Sequence, residues 1–412
     1  MSKLVKIAVR NLLRYKRRTL LTASLITLGV VFVLVFASVT GSFKAMMIAQ
    51  NTDSMLGHLQ VHRKGYVASI DSLPLNLNLR GGAIGRLEKI LDAEPEIAAW
   101  SPRIKFGAMF STFVETTSIR LNGIDPDREL EAVPLLAGRV VEGEKTLARG
   151  EIWVPELLVR GMKVKVGDMV VIVATNQDGS VNGRQFNVAG IMESATGPGG
   201  RDGYIHIEDA AEVLRLEERE ISEVAVRLRN FSRLAAVSAR LEGLLAAEVN
   251  QQGRPIFEVH TWEKLSPFFN IARMIDVMTF FMKLMLIAIV LVSIMNVMIM
   301  AVYERIREIG TIAAIGTRPG RILAMFLLEG LSLGVAGAVL GNIVGTVIIL
   351  VLNAVHITYD FGRQKDLVVQ AAVDPADLLM LSMIVIVISV VASLQPAFKA
   401  SRMEPIKALR HV

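Results

Sequence analysis

The first 43 residues contain a long uncharged segment preceded by a cluster of cations. Residues 19–43 carry no charge, and the residues before them hold seven cations and no anion. An apolar helix of about 20 residues spans the ~30 Å hydrocarbon core of a bilayer, and flanking Lys and Arg favour the cytoplasmic side. A cleavable signal peptide has a much shorter apolar core of roughly 7–15 residues. We therefore expect an uncleaved membrane anchor with a cytoplasmic N-terminus.

Three further uncharged segments, 284–302, 330–359 and 378–398, are each long enough to cross a bilayer. Together with the first, they predict transmembrane helices near 19–42, 276–302, 322–352 and 377–398. Asp276 and Lys283 flank the outer end of the second helix and indicate that it begins before the bilayer, near residue 271. Four crossings place both termini and the basic segment 303–321 in the cytoplasm, as the distribution of Lys and Arg also favours.

The residues between the first two helices predict a large α+β extracytoplasmic domain. Alternating strand patterns occur at 59–62, 118–123, 169–174, 186–191, 204–207 and 223–228. Helical periodicity occurs at 82–91 and at 232–249, where Leu234, Val237, Leu241, Leu244 and Leu245 share one face. The glycine-rich residues 195–203 are typical of a flexible loop, and the chain has no cysteine to form disulfides.

The sequence offers no pattern for catalysis or metal binding. It contains no Gly-x-x-x-x-Gly-Lys-Ser/Thr phosphate loop and no Gly-x-Ser-x-Gly nucleophile turn. His58 and His62 have the spacing of a helical chelating pair but lie in a strand pattern, where four residues span about 13 Å. His206, His260, His356 and His411 are isolated. With aromatic residues at only 6%, the net charge of +6 does not indicate nucleic-acid binding either. We expect a non-enzymatic chain without metal.

The third predicted helix carries glycines spaced by three and four residues, at Gly330, Gly334, Gly337, Gly341 and Gly345. This spacing puts them on one face, where a second helix can approach closely, although glycine is also common in membrane helices in general. Glu329 lies beside this face, within reach of Arg321. It is either an interfacial residue whose carboxylate extends to water or an element that couples motions.

A candidate substrate cavity is predicted between the first two helices. Its residues are Phe32, Phe36, Met278, Met282 and Met285. Methionine side chains are flexible and suit promiscuous apolar binding surfaces. Lipid-facing or core packing is the alternative explanation for the same residues.

The segment after the second helix combines charge with an amphipathic pattern. Ile306, Ile309, Ile312 and Ala313 fall on one face of a short helix that Gly316 and the pair Pro319-Gly320 interrupt. Such a helix suits docking on a soluble partner, and composition alone leaves a connector on the membrane surface equally open.

Three motifs resemble one protein family. They are Glu-Arg-x-Arg-Glu-Ile-Gly-x-x-x-Ala-Ile-Gly at 304–316 followed by Arg-Pro-Gly-Arg-Ile at 318–322, the tail motif at 396–410, and Ala-x-Arg-Asn-Leu at 8–12. They are similar to those of the FtsX-like permeases of ABC transporters, which include MacB-type and lipoprotein-releasing LolC/LolE-type permeases. The order of one helix, a large outer domain and three helices is also that of the family, and the chain is most similar to its stand-alone lipoprotein-releasing subunits.

The resemblance implies a permease subunit in the bacterial inner membrane that acts as a homodimer or with a related permease. ABC ATPase subunits on the cytoplasmic face would hold ATP and Mg²⁺, and this chain would carry no cofactor. Because the sequence starts directly at the permease, the ATPase is expected on a separate chain. The implied coupling residues are Glu304, Arg305, Arg307, Glu308, Ile309, Gly310, Ala314 and Gly316.

The implied function is extraction or release of a lipoprotein or another hydrophobic substrate, with membrane lipids and a periplasmic acceptor as further partners. MacB-like efflux of peptides or antibiotics, FtsX-like mechanotransmission and a non-transporting membrane-anchored binding module remain the alternatives.

The expected organisation is a basic N-terminal segment 1–18, transmembrane helices 19–42, 271–302, 322–352 and 377–398, a MacB-like core domain 43–270 with a β-rich lobe near 128–205, a coupling segment 303–321, an outer loop 353–376 and a cytoplasmic tail 399–412.

Overall fold

A computed structural model describes residues 10, 14, 16–194, 198–356, 358–361, 364–368 and 370–404. The chain forms two compact units. The membrane unit contains the segments before Ala45 and after Ala272, and the 46–271 unit consists chiefly of Met46–Ile271. The N-terminal motif, apart from Arg10, and the tail motif from Pro405 onward lie outside the described residues.

The helices follow the predicted alternation of membrane and domain segments. In chain order they are α1 Lys16–Asn51, α2 Gly81–Ala93, α3 Pro126–Ala132, α4 Glu156–Met162, α5 Ile207–Val213, α6 Leu234–Ala246, α7 Trp262–Leu265, α8 Phe268–Glu304, α9 Ile306–Ala314, α10 Pro319–Val355 and α11 Pro375–Ser401.

Four of these helices, α1, α8, α10 and α11, are long and apolar enough to cross a membrane. Each contains its predicted span and extends beyond it at both ends. Helix α8 has 37 residues and is therefore about 55 Å long, well beyond the ~30 Å of a hydrocarbon core. The predicted spans stop short of the observed ends, because those ends carry further charged side chains such as Arg273, Glu304 and Lys399.

Proline and aspartate define the starts of the last two long helices. Pro319 and Pro375 occupy the first turns of α10 and α11, where a missing backbone N–H costs nothing. Asp374 caps α11, since its carboxylate accepts a hydrogen bond of 2.8 Å from the backbone N–H of Ala376. The core between the long helices is aliphatic, with Val30, Val290 and Phe326 completely buried in it.

The 46–271 unit is built on a ten-stranded mixed sheet. Along the described chain, the strands are β1 Leu59–Arg63, β2 Leu79–Arg80, β3 Ile97–Ser111, β4 Thr116–Ile124, β5 Val140–Gly143, β6 Glu151–Pro155, β7 Met169–Thr175, β8 Val181–Met192, β9 Asp202–His206, β10 Glu220–Ile221, β11 Glu223–Leu228, β12 Phe257–Thr261, β13 Thr358–Phe361 and β14 Gln364–Val368. The last two lie outside Met46–Ile271. The large sheet has the order β12-β1-β11-β3-β4-β9-β6-β8-β5, with β7 pairing β3 and β8. Pairs β2–β10 and β13–β14 form separate two-stranded sheets.

Most pairs in the large sheet are antiparallel, and the pairs β4–β9 and β6–β8 are parallel. The long strand β3 connects the two halves of the sheet, because it pairs with β11 at its start and with β4 and β7 further along. Its buried side chains Ile104, Phe106 and Phe110 contribute to the larger hydrophobic core of the unit.

The six predicted strands all lie within observed strands except for Ile207, which begins α5. Two other expectations are wrong. Leu244 is exposed, whereas the other four leucine and valine positions predicted on its face of α6 are buried. Asp202 and Gly203 are not part of a flexible loop but begin strand β9, and Gly203 is packed so tightly that a Cβ there would lie 2.9 Å from Ile119 Cδ1. Residues 195–197 of that segment lie outside the described part of the chain.

Candidate functional site

An apolar groove of about 340 Å³ lies between α1 and α8 in the membrane unit. Its walls are formed by Leu25, Leu28, Gly29, Phe32 and Val33 of α1 and by Met282, Met285, Leu286 and Ile289 of α8. These nine side chains contain no charged group, and the volume lies within the range of small-molecule sites. The groove can therefore hold an apolar chain but offers almost nothing to a polar ligand.

Three of the five residues predicted for a cavity, Phe32, Met282 and Met285, line this groove. Phe36 stacks on Phe32, with ring centroids 6.5 Å apart, but is not among the lining residues. Met278 is exposed and also lies outside the lining.

The aliphatic lining residues were missed by sequence reasoning, although a signal for them existed. Positions 25, 28, 29, 32 and 33 repeat with helical spacing, as do 282, 285, 286 and 289. Gly29 allows the closest approach of the two helices, because a Cβ there would lie 2.9 Å from Leu286 Cδ1.

The predicted coupling segment forms the short helix α9 after a break at Arg305. Ile306, Ile309 and Gly310 are buried, whereas Glu304, Arg307, Glu308 and Ala314 are exposed. Gly316 ends the helix with φ +89°, a left-handed conformation that glycine adopts without strain. The coupling residues thus fall on two opposite sides of one helix.

The apolar face of α9 differs from the predicted one at Ile312. Ile306 and Ile309 point into the unit as expected, but Ile312 is exposed, and Ile315 next to Gly316 is 80% exposed. Two large aliphatic side chains are therefore presented to the surroundings at the C-terminal end of a charged helix.

Ion pairs connect the junction between α8 and α9 to two other long helices. Arg18 of α1 lies 2.6 Å from Glu304, and Arg14 lies 3.3 Å from Glu308. Arg305 is buried and lies 3.4 Å from Glu329 of α10. The residues around the break between α8 and α9 are thereby linked to both α1 and α10.

The sequence suggested Arg321 as the partner of Glu329, but the observed partner is Arg305. Glu329 is almost completely buried, so its carboxylate does not extend to water. A buried ion pair is weak evidence for stability, but removal of one partner leaves an uncompensated charge. The pair thus fixes the position of α9 against α10.

All five predicted glycines of α10 lie against other helices, and two different helices are involved. A Cβ on Gly337, Gly341 or Gly345 would meet Ile26, Val30 or Leu34 of α1. A Cβ on Gly330 or Gly334 would collide with Ser393 or Ser389 of α11. The glycine face therefore brings α1 and α11 into close contact with α10 at successive levels.

At the opposite end of the membrane unit, α1 and α8 are joined by another ion pair. The ammonium of Lys44 lies 2.6 Å from each carboxylate oxygen of Asp276. Further along α8, Lys283 lies 3.8 Å from Asp377 of α11. The charges predicted to flank this end of α8 are thus paired with neighbouring helices.

The 46–271 unit contains a buried cluster of charges around Glu223. Arg103 lies 2.6 Å from Glu129 and 2.9 Å from Glu223, and Lys105 lies 2.9 Å from the same oxygen of Glu223. Burial opposes ionisation of Glu223, but the charge of Lys105, the contact with the His62 ring and the charge of Arg103 more than offset it, so the pKa of Glu223 lies well below its usual value.

His260 is not isolated, contrary to the sequence interpretation. Pairing of β1 with β12 brings it beside His62, with ring centroids 5.6 Å apart. His62 lies 3.6 Å from Glu223. Among the described residues, no group of three or more potential ligands has the geometry to hold a metal ion. His411 lies outside them.

Two family models match the chain. The MacB-like periplasmic core domain matches residues 19–244, and the C-terminal model of the FtsX-like permeases matches residues 280–405.

Similar proteins of known name include transporter subunits from several bacteria. The lipoprotein-releasing system transmembrane protein LolC of Neisseria meningitidis is 24% identical, over 95% of this chain and 94% of that protein. The macrolide export ATP-binding/permease protein MacB of Nitrobacter winogradskyi is 29% identical, over 56% of this chain and 34% of that protein. The periplasmic region of MacB from Actinobacillus actinomycetemcomitans is a solved structure with a TM-score of 0.35 and 11% identity, over 51% of this chain and 92% of that one.

Proposed function

Because this chain belongs to the FtsX-like permeases that carry a MacB-like periplasmic core domain, we propose that it extracts a lipid-anchored protein from the bacterial inner membrane as the permease subunit of an ABC transporter. The observation that carries this proposal is the groove between α1 and α8. Its lining is apolar and its residues belong to membrane-spanning helices. An acyl chain can enter such a groove without loss of hydrogen bonds, because its surroundings in lipid are equally apolar.

The extent of the similarities supports a lipoprotein as the substrate. The lipoprotein-releasing relative aligns along nearly the whole length of both chains. The macrolide-export relative aligns along about a third of its own length. A lipoprotein combines acyl chains, which suit the groove, with a folded protein part on the outer side of the membrane.

The proposed orientation places Arg18, Glu304 and α9 in the cytoplasm and the 46–271 unit in the periplasm. The cations that precede α1 favour this orientation. ATP and Mg²⁺ would bind to a partner ATPase, which would contact α9 through Ile312 and Ile315. A second permease copy, identical or related, would complete a pair of coupling helices for two ATPase subunits.

The contacts of α9 give a route from the ATPase to the groove. Because α9 follows Arg305 directly, a displacement of α9 would act on α10 through the pair of Arg305 with Glu329. It would act on the residues at the start of α1 through the pair of Glu308 with Arg14. Helix α1 also forms one wall of the groove. Movement of the coupling helix would therefore change the width of the groove without any polar passage across the membrane.

The ATPase contact can be tested by co-purification from detergent. Ile315→Ser removes the exposed aliphatic side chain of α9 and should reduce the amount of bound ATPase at least fivefold. Val114→Ser is the matched control, because Val114 is 89% exposed but lies in the 46–271 unit. Equal recovery of the ATPase with both variants would contradict docking through α9, and absence of an ATPase from the wild-type preparation would contradict the transporter itself.

A further inference from the structure

Helices α1 and α8, which line the groove, are joined by one ion pair near each end. Arg18 pairs with Glu304 at one end and Lys44 with Asp276 at the other. At 1.5 Å per residue, the two pairs are about 40 Å apart along either helix. Since the hydrocarbon core is ~30 Å thick, both pairs fall outside it, with the apolar groove between them.

The Arg18 end is held by several connected pairs. Glu304 is followed directly by Arg305, which is buried and pairs with Glu329 of α10. Arg14 adds a contact to Glu308 of α9. Separation of α1 from α8 at this end would break both the Arg18–Glu304 and the Arg14–Glu308 pairs, while the buried Arg305–Glu329 pair keeps the end of α8 attached to α10.

The Lys44 end is held much more weakly. Asp276 is 62% exposed in its side chain, and exposed single ion pairs contribute little to stability and are screened by salt. Within the part of the chain that the structure describes, neither Lys44 nor Asp276 has a second charged partner. The pair can therefore break without disturbing other charges.

From this asymmetry we infer that Lys44 and Asp276 form a releasable latch over the periplasmic end of the groove, whereas the Arg18 end stays closed. The inference rests on the proposed function, in which the groove holds an acyl chain. When the latch opens, α1 and α8 separate first on the periplasmic side, and the acyl chain leaves in that direction. Directional release then follows from the unequal strength of the two ends.

The absence of cysteine from the chain permits a direct test. In the double variant Lys44→Cys/Asp276→Cys, a short bifunctional thiol reagent with a reducible linkage can join the two helices until a reductant is added. The full permease–ATPase complex would be reconstituted in liposomes with a lipoprotein of the same bacterium. The matched control is Lys283→Cys/Asp377→Cys, which joins α8 to α11 and does not bridge the groove.

Joining residues 44 and 276 should lower ATP-driven release of the lipoprotein at least tenfold, and reductant should restore it. Lipoprotein already bound in the groove should remain bound. Joining residues 283 and 377 should leave release within about twofold of the reduced sample. Unchanged release with residues 44 and 276 joined, or equal losses with both pairs, would overturn the latch.

Removal of one charge provides an independent measurement. Lys44→Gln should increase ATP-independent release several-fold, since the groove then opens without the ATPase. Lys283→Gln is the control, because Lys283 pairs with Asp377 of α11 and not across the groove. No increase with Lys44→Gln would contradict the latch. A complex in which lipoprotein never binds the groove, even before any crosslinking, would contradict the proposed function and the latch with it.

Discussion

Val30 of α1 lies directly against Gly341 of α10, so closely that a Cβ on Gly341 would be 2.6 Å from the Cβ of Val30. The neighbouring contacts of Ile26 and Leu34 follow at the same helical spacing. The opposite side of α1 lines the groove through residues such as Leu25 and Phe32. One helix thus connects the glycine face of α10 with the candidate substrate site.

A side chain at Gly341 should displace α1. Gly341→Leu forces a collision with a β-branched side chain that cannot rotate away, and overpacking of this kind costs about 1–3 kcal/mol. We expect the thermal unfolding temperature of the detergent-solubilised protein to fall by several degrees. Gly41→Leu, on α1 itself, meets open space and should have little effect. Equal unfolding temperatures for the two variants would contradict the close packing of α1 on α10.

The buried pair of Arg305 and Glu329 should be essential for the position of α9. Glu329→Gln removes the buried counter-charge of Arg305, which also lies 3.8 Å from the exposed Glu308. Loss of one partner costs about 3–5 kcal/mol in other buried pairs. We expect loss of ATPase stimulation by substrate and a lower unfolding temperature. The double variant Arg305→Met/Glu329→Met removes both charges and should recover much of the stability but not the stimulation. Full stimulation in Glu329→Gln would exclude a coupling role for the pair.

The charge cluster in the 46–271 unit should make stability depend on pH. Because the pKa of Glu223 is lowered in the folded protein, its ionised form stabilises the fold above the unfolded pKa of about 4.3. This contribution is lost as the pH falls through the lower folded value. Glu223→Gln should therefore be less stable than wild type at pH 7, and the difference should narrow below about pH 4.

Thermal unfolding of the full chain between pH 7 and pH 3 measures this narrowing. Glu217→Gln is the control, because Glu217 is exposed, and it should match wild type throughout. A constant difference between wild type and Glu223→Gln across this range would show that the charge of Glu223 does not contribute.

The sequence predicted the membrane helices because a long uncharged, apolar segment is typical of a membrane-spanning helix. It did not predict strand β3, which contains Pro102 and Gly107, two residue types that are depleted in strands. Pairing with three neighbouring strands stabilises β3 in spite of them. This support comes from distant parts of the chain, so a local pattern could not indicate it.

The sequence predicted those groove residues whose type is distinctive. It missed those whose place in the groove depends only on how the helices pack. Phe32 and Met285 stood out as large side chains, whereas Leu25 and Ile289 resemble any other residues of an apolar helix. Arg321 was preferred as the partner of Glu329 because it is close in sequence. The observed partner, Arg305, is brought there only by the packing of α8 and α9 against α10.

The most direct test of the account is to block the groove with a large side chain and to measure ATP-driven release of a lipoprotein. The measurement uses liposomes that contain the permease–ATPase complex. Leu28→Trp places a large ring in the groove, and Leu21→Trp is matched to it, since both leucines lie on α1 and are 65% and 66% exposed. We predict that Leu28→Trp lowers the release rate at least tenfold with ATPase binding intact, and that Leu21→Trp remains close to wild type. A release rate for Leu28→Trp equal to that of the wild type would contradict the proposal that the groove is the substrate site.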